Sequence, residues 1–182
     1  GGPFFWTPTV EGLWNYEHTV DNPEKLDASC WKRGLEADTI ADIEQSIQNP
    51  GQLAYTQLTP IRKPTLKRKF QQLREAGVVL LVGTDSGIPM KFHCQSTWNE
   101  MDVWVNVMGV DPMTTIRGAT YWGAVMMGVD DKWGTVEAGK YADIIAVKGD
   151  VLRHISLLSD VDFVMKGGVV YKQDGRPVEE NL

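Results

Sequence analysis

An isolated carboxylate at the end of an apolar segment is the feature of this sequence best suited to chemistry. Residues 78–84 are Val-Val-Leu-Leu-Val-Gly-Thr, Asp85 follows, and Ser86-Gly87 end the segment. A continuous apolar run of this kind predicts a strand buried on both faces, as in a parallel sheet covered by helices. At the carboxyl end of a strand in an α/β barrel, a carboxylate can bind a metal ion or accept a proton. Asp85 is therefore the first candidate for a catalytic residue.

Helices are predicted on both sides of the strand that carries Asp85. Apolar residues recur at helical spacing between Pro64, placed in a first turn, and Gly77, placed as a carboxyl-terminal cap. A helix followed by a buried strand is one αβ unit, and a second buried strand is predicted over residues 4–10. The same periodicity, with its cap and proline signals, predicts helices over residues 34–48, 97–108 and 111–127.

Strand patterns replace the helical ones after Gly128. Gly167-Gly168 predicts a two-residue hairpin turn, because glycine tolerates the positive φ angles that such turns require. Asp143 is expected to cap a turn rather than to do chemistry. The chain thus divides into an α/β part over residues 1–129 and a small β unit over 130–182, with strands predicted at 134–136, 142–147, 161–166 and 169–172.

Composition and charge exclude several classes of partner. The 182 residues are 42% hydrophobic and 9% aromatic, which suffices for a packed core. A net charge of -6 and a pI near 5.0 argue against a broad nucleic-acid or anionic-membrane surface. The basic residues between Arg62 and Arg74 share one face of a predicted helix, so we expect a solvated face there. Without an apolar run long enough to span a bilayer, we expect a soluble, cytoplasmic protein.

The two cysteines, Cys30 and Cys94, have no metal-binding spacing. We expect thiols in a reducing compartment, with a single disulfide as the alternative.

Four blocks of sequence occur in an order shared with a known family. The first block is Val82-Gly83-Thr84-Asp85-Ser86-Gly87 with His93 after a short loop, and the other three are residues 111–120 (Asp-Pro-Met-Thr-Thr-Ile-Arg-Gly-Ala-Thr), 134–147 (Gly-Thr-Val-Glu-Ala-Gly-Lys-Tyr-Ala-Asp-Ile-Ile-Ala-Val) and 164–170 (Val-Met-Lys-Gly-Gly-Val-Val). Together they resemble the metal-dependent amidohydrolase superfamily, in the branch of imidazolonepropionase-like enzymes and Xaa-Pro or Xaa-Arg dipeptidases.

The resemblance implies the C-terminal part of a (β/α)8 TIM-type barrel. About strands 7 and 8 with their helices would occupy residues 1–129, and a β-sandwich segment of a composite domain would occupy 130–182. A complete barrel takes roughly 250 residues. We therefore expect a piece of a longer protein that pairs with the missing N-terminal half of the barrel, and a homo-oligomer that covers exposed strand edges.

The resemblance also implies a mono- or binuclear site for a divalent metal, Zn2+ in the first place. In such enzymes the ligands are a His-x-His pair, a carboxylate or carboxylated lysine, two further histidines and an aspartate. Only the aspartate maps here, onto Asp85, as metal ligand and acceptor of the proton from the attacking water. The chain has three histidines and no His-x-His pair. Alone, it is expected to be inactive.

The implied reaction is hydrolysis of C–N bonds in dipeptides or small cyclic amides by metal-activated water. His93 and His18 are the candidates for substrate binding, His93 at the mouth of the site and His18 from the loop after strand 7. His154 is expected to play no part in the site.

Two alternatives compete with this hypothesis. An Asp-Ser-Gly after an apolar strand also fits an aspartic protease, but those proteins are all-β and helices flank this strand. The alternative function is a non-catalytic structural or assembly portion of a split or truncated enzyme, which metal content would distinguish.

Overall fold

Two short parallel strands form the part of the fold that carries Asp85. The computed structural model describes residues 2–14, 24, 30–49, 57–87 and 91–181. Strand β1 (Phe5–Trp6) pairs in parallel with β2 (Val79–Leu80). The Val79 amide donates to the Phe4 carbonyl at 2.8 Å, and the Leu81 amide donates to the Trp6 carbonyl at 2.9 Å. Both predicted strands are present, each shorter than its apolar run.

Helices make up much of the described α/β part of the chain. Their bounds are α1 (Ala37–Gln48), α2 (Thr59–Glu75), α3 (Ser96–Asp102), which continues as a π-helical turn (Val103–Met108), α4 (Pro112–Ala119) and α5 (Tyr121–Met127). Short 3-10 turns lie at Cys30–Lys32, Ile155–Ser159 and Glu179–Asn181. Gly109, in a left-handed conformation, ends the π-helical turn, in agreement with the helix end predicted at residue 108.

Two helices differ from the prediction at their ends. Helix α2 begins at Thr59 and not near Pro64, because Pro60 occupies the first turn, where its missing N–H leaves no bond unmade. The helix predicted over 111–127 is two helices with a break at Thr120. The break follows Gly118, whose carbonyl accepts a hydrogen bond from the Val82 amide at 3.1 Å.

The main core lies between β1, β2, α2 and the π-helical turn. Trp6 and Phe70 meet edge to face with ring centroids 5.1 Å apart, and Phe70 meets Trp104 in the same way at 5.7 Å. Phe70 and Trp104 are both fully buried. The core is completed by Val10, Leu66, Leu80, Val103, Met108 and Val110.

The carboxyl-terminal β unit is an antiparallel sheet in the order β3 (Ile144–Ala146), β4 (Phe163–Lys166), β5 (Val169–Gln173), β6 (Arg176–Pro177). Gly167 and Gly168 form the predicted hairpin turn, with φ angles of 58° and 83°. Asp143 caps this turn as expected, because its Oδ1 accepts from the Gly167 amide at 2.7 Å. The strand predicted over 134–136 is absent, and Val136 there is exposed.

The prediction of two free thiols is wrong. Cys30 and Cys94 form a disulfide across 64 positions, with Cα atoms 6.1 Å apart. Their neighbours Trp31 and Phe92 stack with ring centroids 4.9 Å apart, beside Ile47 in a second small core. The fold brings these distant segments together, and cysteine spacing in the sequence carries no sign of it.

Of the helices in the described part of the chain, none combines the length and the apolar composition that crossing a bilayer requires.

Candidate functional site

Asp85 lies beyond the carboxyl end of β2, at an exposed position. Its φ angle is 53°, in the left-handed region that few residues other than glycine adopt. Aspartate tolerates this region better than most side chains, and such backbone strain concentrates at functional sites. The left-handed conformation makes Asp85 the apex of a turn.

The residues next to Asp85 hold this turn in shape. The Ser86 hydroxyl donates to Thr84 Oγ1 at 2.7 Å, and the Gly87 amide donates to the Lys91 carbonyl at 3.1 Å. Gly87 has a φ of 100°, which a side chain would oppose. The main chain is thus fixed on both sides of Asp85.

Lys91 joins the ends of the two parallel segments. Its ammonium group donates to the Thr84 carbonyl at 2.8 Å and to the Thr9 carbonyl at 2.9 Å. The side chain is only 5% exposed. A Cβ at Gly12 would overlap Lys91 Cε, so the lysine stem runs over a glycine.

Glu100 holds the segment after β1 through hydrogen bonds to its main chain. Its carboxylate accepts from the amides of Val10 at 3.0 Å and Glu11 at 2.6 Å, and from the Trp104 indole at 2.7 Å. Glu100 is fully buried. Burial raises the pKa of Glu100, and these three N–H donors oppose the rise.

Glu11 is a second fully buried acid. Among the described residues, neither of its carboxylate oxygens has a hydrogen-bond partner. Burial raises the pKa of Glu11 from 4.5 to about 7, a rise that the Lys91 charge opposes. Lys91, which bonds to the Asp85 turn, thus lies near two buried acids.

His93 is brought next to this turn. Its Cε1 lies 3.7 Å from the position that a Cβ on Gly87 would take. A cavity of about 510 Å³ opens here, lined on one side by residues between 30 and 46 and on the other by Gly87 and residues 91–94. Its lining combines the Trp31–Phe92 stack with polar groups, among them Arg33, Asp42 and His93. The cavity matches in size the pockets that take small molecules.

Of the other two histidines, the structure describes only one. His18 lies outside the described residues, and His154 is exposed beside the β unit. Within the described ranges, no three His, Cys, Asp or Glu residues come together as a metal site would require. The Asp85 carboxylate has the chemistry of a metal ligand, but it is one donor of the three or four that a catalytic Zn2+ needs.

Sequence reasoning missed Glu11, Lys91 and Glu100. One signal was present: Glu100 lies in the helix predicted over 97–108, directly before the apolar Met101, and a charge beside an apolar residue marks either the edge of the apolar face or a buried partner. Lys91 gave no such signal, because its partners are main-chain carbonyls.

Comparison with known proteins identifies the family and the fold. The amidohydrolase family profile matches residues 37–171. Among solved structures, the chain is similar to a Xaa-Pro dipeptidase with methionine bound in its active site, at 26% identity and a TM-score of 0.58, over 92% of this chain and 34% of that one. No curated protein sequence matches.

Two further solved structures share the fold. One is a prolidase complexed with N-methylphosphonate-L-proline, at 20% identity and a TM-score of 0.55, covering 95% of this chain and 35% of that one. The other is A. niger ochratoxinase, at 21% and 0.57, covering 93% and 32%. The chain spans about one third of the length of each neighbour.

The mixed α/β fold thus corresponds to part of an amidohydrolase structure, and the family match covers most of the chain, including the Asp85 turn. The chain belongs to the amidohydrolase family.

Proposed function

We propose that the chain forms part of the active site of a metal-dependent amidohydrolase that cleaves C–N bonds. The observation that carries this is Asp85, exposed and left-handed at the carboxyl end of a parallel strand, in a turn that hydrogen bonds hold on both sides. Family membership supports hydrolysis as the reaction class.

In this proposal Asp85 binds a divalent ion and accepts a proton from the attacking water. Zn2+ bound there would supply a water of lowered pKa, in a mono- or binuclear site. Because Asp85 is one ligand, the others come from beyond the described residues. The isolated chain is then inactive.

The proposed substrates are dipeptides or small cyclic amides. The 510 Å³ cavity beside Gly87 has room for a substrate of that size, and its aromatic wall suits an apolar side chain. His93 lines this cavity and is the proposed substrate contact. The Xaa-Pro dipeptidase and the prolidase above hold an amino acid and a proline analogue respectively.

In the complete protein, β1 and β2 would be strands 7 and 8 of a (β/α)8 barrel. The antiparallel β3–β6 sheet would be its share of a β-sandwich. The rest of the barrel, and with it a homo-oligomeric state, would cover the open edges of the pair.

The cytoplasmic location stays a prediction, and the Cys30–Cys94 disulfide argues against it. Structural disulfides persist mainly in oxidising compartments. We therefore favour an extracytoplasmic site of action.

The test measures dipeptide hydrolysis with Zn2+ in the longest natural polypeptide that contains this sequence. Asp85→Asn is expected to lower kcat at least about hundredfold, the size of a lost general base. Asp174→Asn is the matched control, because Asp174 also has a left-handed backbone, with φ of 50°, but lies in the β5–β6 turn. Activity that survives Asp85→Asn would overturn the assignment, and inactivity with every amide substrate would favour a structural role.

A further inference from the structure

We propose that Lys91 is a positioning residue that fixes the main chain from which the Asp85 carboxylate projects. This rests on the proposed function, in which Asp85 is the ligand that must be aimed. Lys91 has no place in the reaction itself. Its contacts are to the main chain on both sides of Asp85.

Lys91 holds the peptide between Thr84 and Asp85. The Lys91 ammonium binds the Thr84 carbonyl, which belongs to that peptide, while the Lys91 carbonyl binds the Gly87 amide. One residue therefore holds the turn before and after Asp85. A peptide plane fixed in this way leaves Asp85 little freedom beyond its own side-chain rotation.

Lys91 also links the Asp85 turn to the segment that follows β1. The same ammonium binds the Thr9 carbonyl, three residues beyond the end of β1 at Trp6. The amides of Val10 and Glu11, next along that segment, are held by Glu100. The Asp85 turn is thus connected through hydrogen bonds to the fully buried Trp104–Glu100 pair.

The surroundings of the Lys91 side chain suit a lysine in both polarity and space. A lysine that is 5% exposed needs acceptors for its ammonium group, and the Thr9 and Thr84 carbonyls supply them, while Glu11 and Glu100 attract its charge to the extent that they are ionised. Gly12 leaves the space through which the lysine stem passes. Charge, volume and hydrogen-bond geometry all select a lysine at position 91.

The experiment observes the clamped peptide directly. Thr84-Asp85 is the one Thr-Asp step in the sequence, so carbonyl-13C threonine with 15N aspartate gives a single correlated NMR signal from that peptide. Lys91→Met keeps most of the stem and removes the donors. We expect the Thr84 carbonyl signal to move upfield and amide hydrogen exchange at Ser86 and Gly87 to rise about tenfold or more, with the β3–β6 sheet unchanged.

Two variants make the readout specific. Lys91→Arg is expected to restore slow exchange in part, because a guanidinium can donate to two carbonyls. Lys140→Met is the matched control: Lys140 is also a largely buried lysine, donating to Thr135 Oγ1 at 2.6 Å in the β unit. It should leave the Thr84 signal in place.

An unchanged Thr84 signal in Lys91→Met, or faster exchange spread evenly over the whole chain, would overturn the proposal. If Lys91→Met does not fold, Gly12→Ala tests the same contact with the ammonium present, and the same local change is expected. Asp85→Asn separates this proposal from the proposed function, because it should leave exchange at Ser86 and Gly87 slow whether or not it abolishes hydrolysis.

Discussion

The Trp104 indole donates a 2.7 Å hydrogen bond to the Glu100 carboxylate, and both side chains are completely withdrawn from solvent. Trp104 lies in the π-helical turn that follows α3, four positions beyond Glu100. π-helical turns are frequent at functional sites, since they shift the side-chain register locally. Here the turn joins an aromatic core to an acid that organises the end of a strand.

Removing the Glu100 carboxylate should be strongly destabilising. Glu100→Ala leaves three buried N–H groups without an acceptor, and each costs about 1–3 kcal/mol, so we expect the free energy of unfolding to fall by at least about 3 kcal/mol. Urea denaturation measures it. Glu75→Ala removes an exposed acid bonded to Gln71 at 2.8 Å and should change stability by less than about 0.5 kcal/mol. Equal effects of the two substitutions would contradict the buried network.

Stability should fall as the pH rises from 4.5 towards 7. The pKa of Glu11 is raised from 4.5 to about 7 in the folded state, so over this range the folded chain binds more protons than the unfolded one. The stability from protonated Glu11 is complete below pH 4.5 and is lost as the pH passes 7. The raised pKa of Glu100 acts in the same direction.

The substitution Glu11→Gln isolates this effect. In the wild type, Glu11 should lower the free energy of unfolding by up to about 3 kcal/mol between pH 5 and pH 8. The variant should lose this pH dependence. Thermal unfolding at the two pH values measures it. A variant that keeps the full wild-type slope would show that other groups cause it.

Reduction of the disulfide should destabilise the chain. A link between Cys30 and Cys94 closes a loop of 64 positions, for which the chain-entropy relation gives about 4 kcal/mol. The melting temperature should therefore drop on addition of dithiothreitol, and that of Cys30→Ser/Cys94→Ser should not. Alkylation of the unfolded, unreduced protein should add no mass; labelling of two thiols would show that they are free.

Two glycines offer a matched pair for packing. A Cβ at Gly118 would stand 2.8 Å from the Leu80 carbonyl oxygen and 3.3 Å from Trp104, whereas one at Gly123 meets nothing within 4 Å. Gly118→Ala should cost about 1–3 kcal/mol through overpacking. Gly123→Ala should add about 0.5–1 kcal/mol, because alanine favours the helix. Chemical denaturation compares them, and a neutral Gly118→Ala would mean that α4 moves away from β2 freely.

Local signals predicted the elements well where one residue type decides the backbone. Asp111 caps α4 by accepting from the Thr114 amide at 2.9 Å, and the Gly167-Gly168 hairpin forms as expected. The break at Thr120 was not predictable in this way. It accompanies a hydrogen bond between the Gly118 carbonyl and Val82, which only the assembled fold provides.

The candidate site was predictable in its position but not in its support. Asp85 follows from an apolar run that ends in small residues. The contacts that hold its turn join Lys91 to main-chain carbonyls, and a carbonyl is present at every residue, so the sequence marks none of them as a partner. The disulfide is similar, because Cys30 and Cys94 meet through the packing of Trp31 on Phe92.

The two hydrogen bonds of the Lys91 ammonium differ greatly in sequence distance, 7 positions to Thr84 and 82 to Thr9. The shorter one closes a small loop and can form as soon as the turn does, whereas the longer one must wait for β1 to dock. The loop that presents Asp85 would therefore acquire its outline early in folding and its final rigidity in one of the last steps.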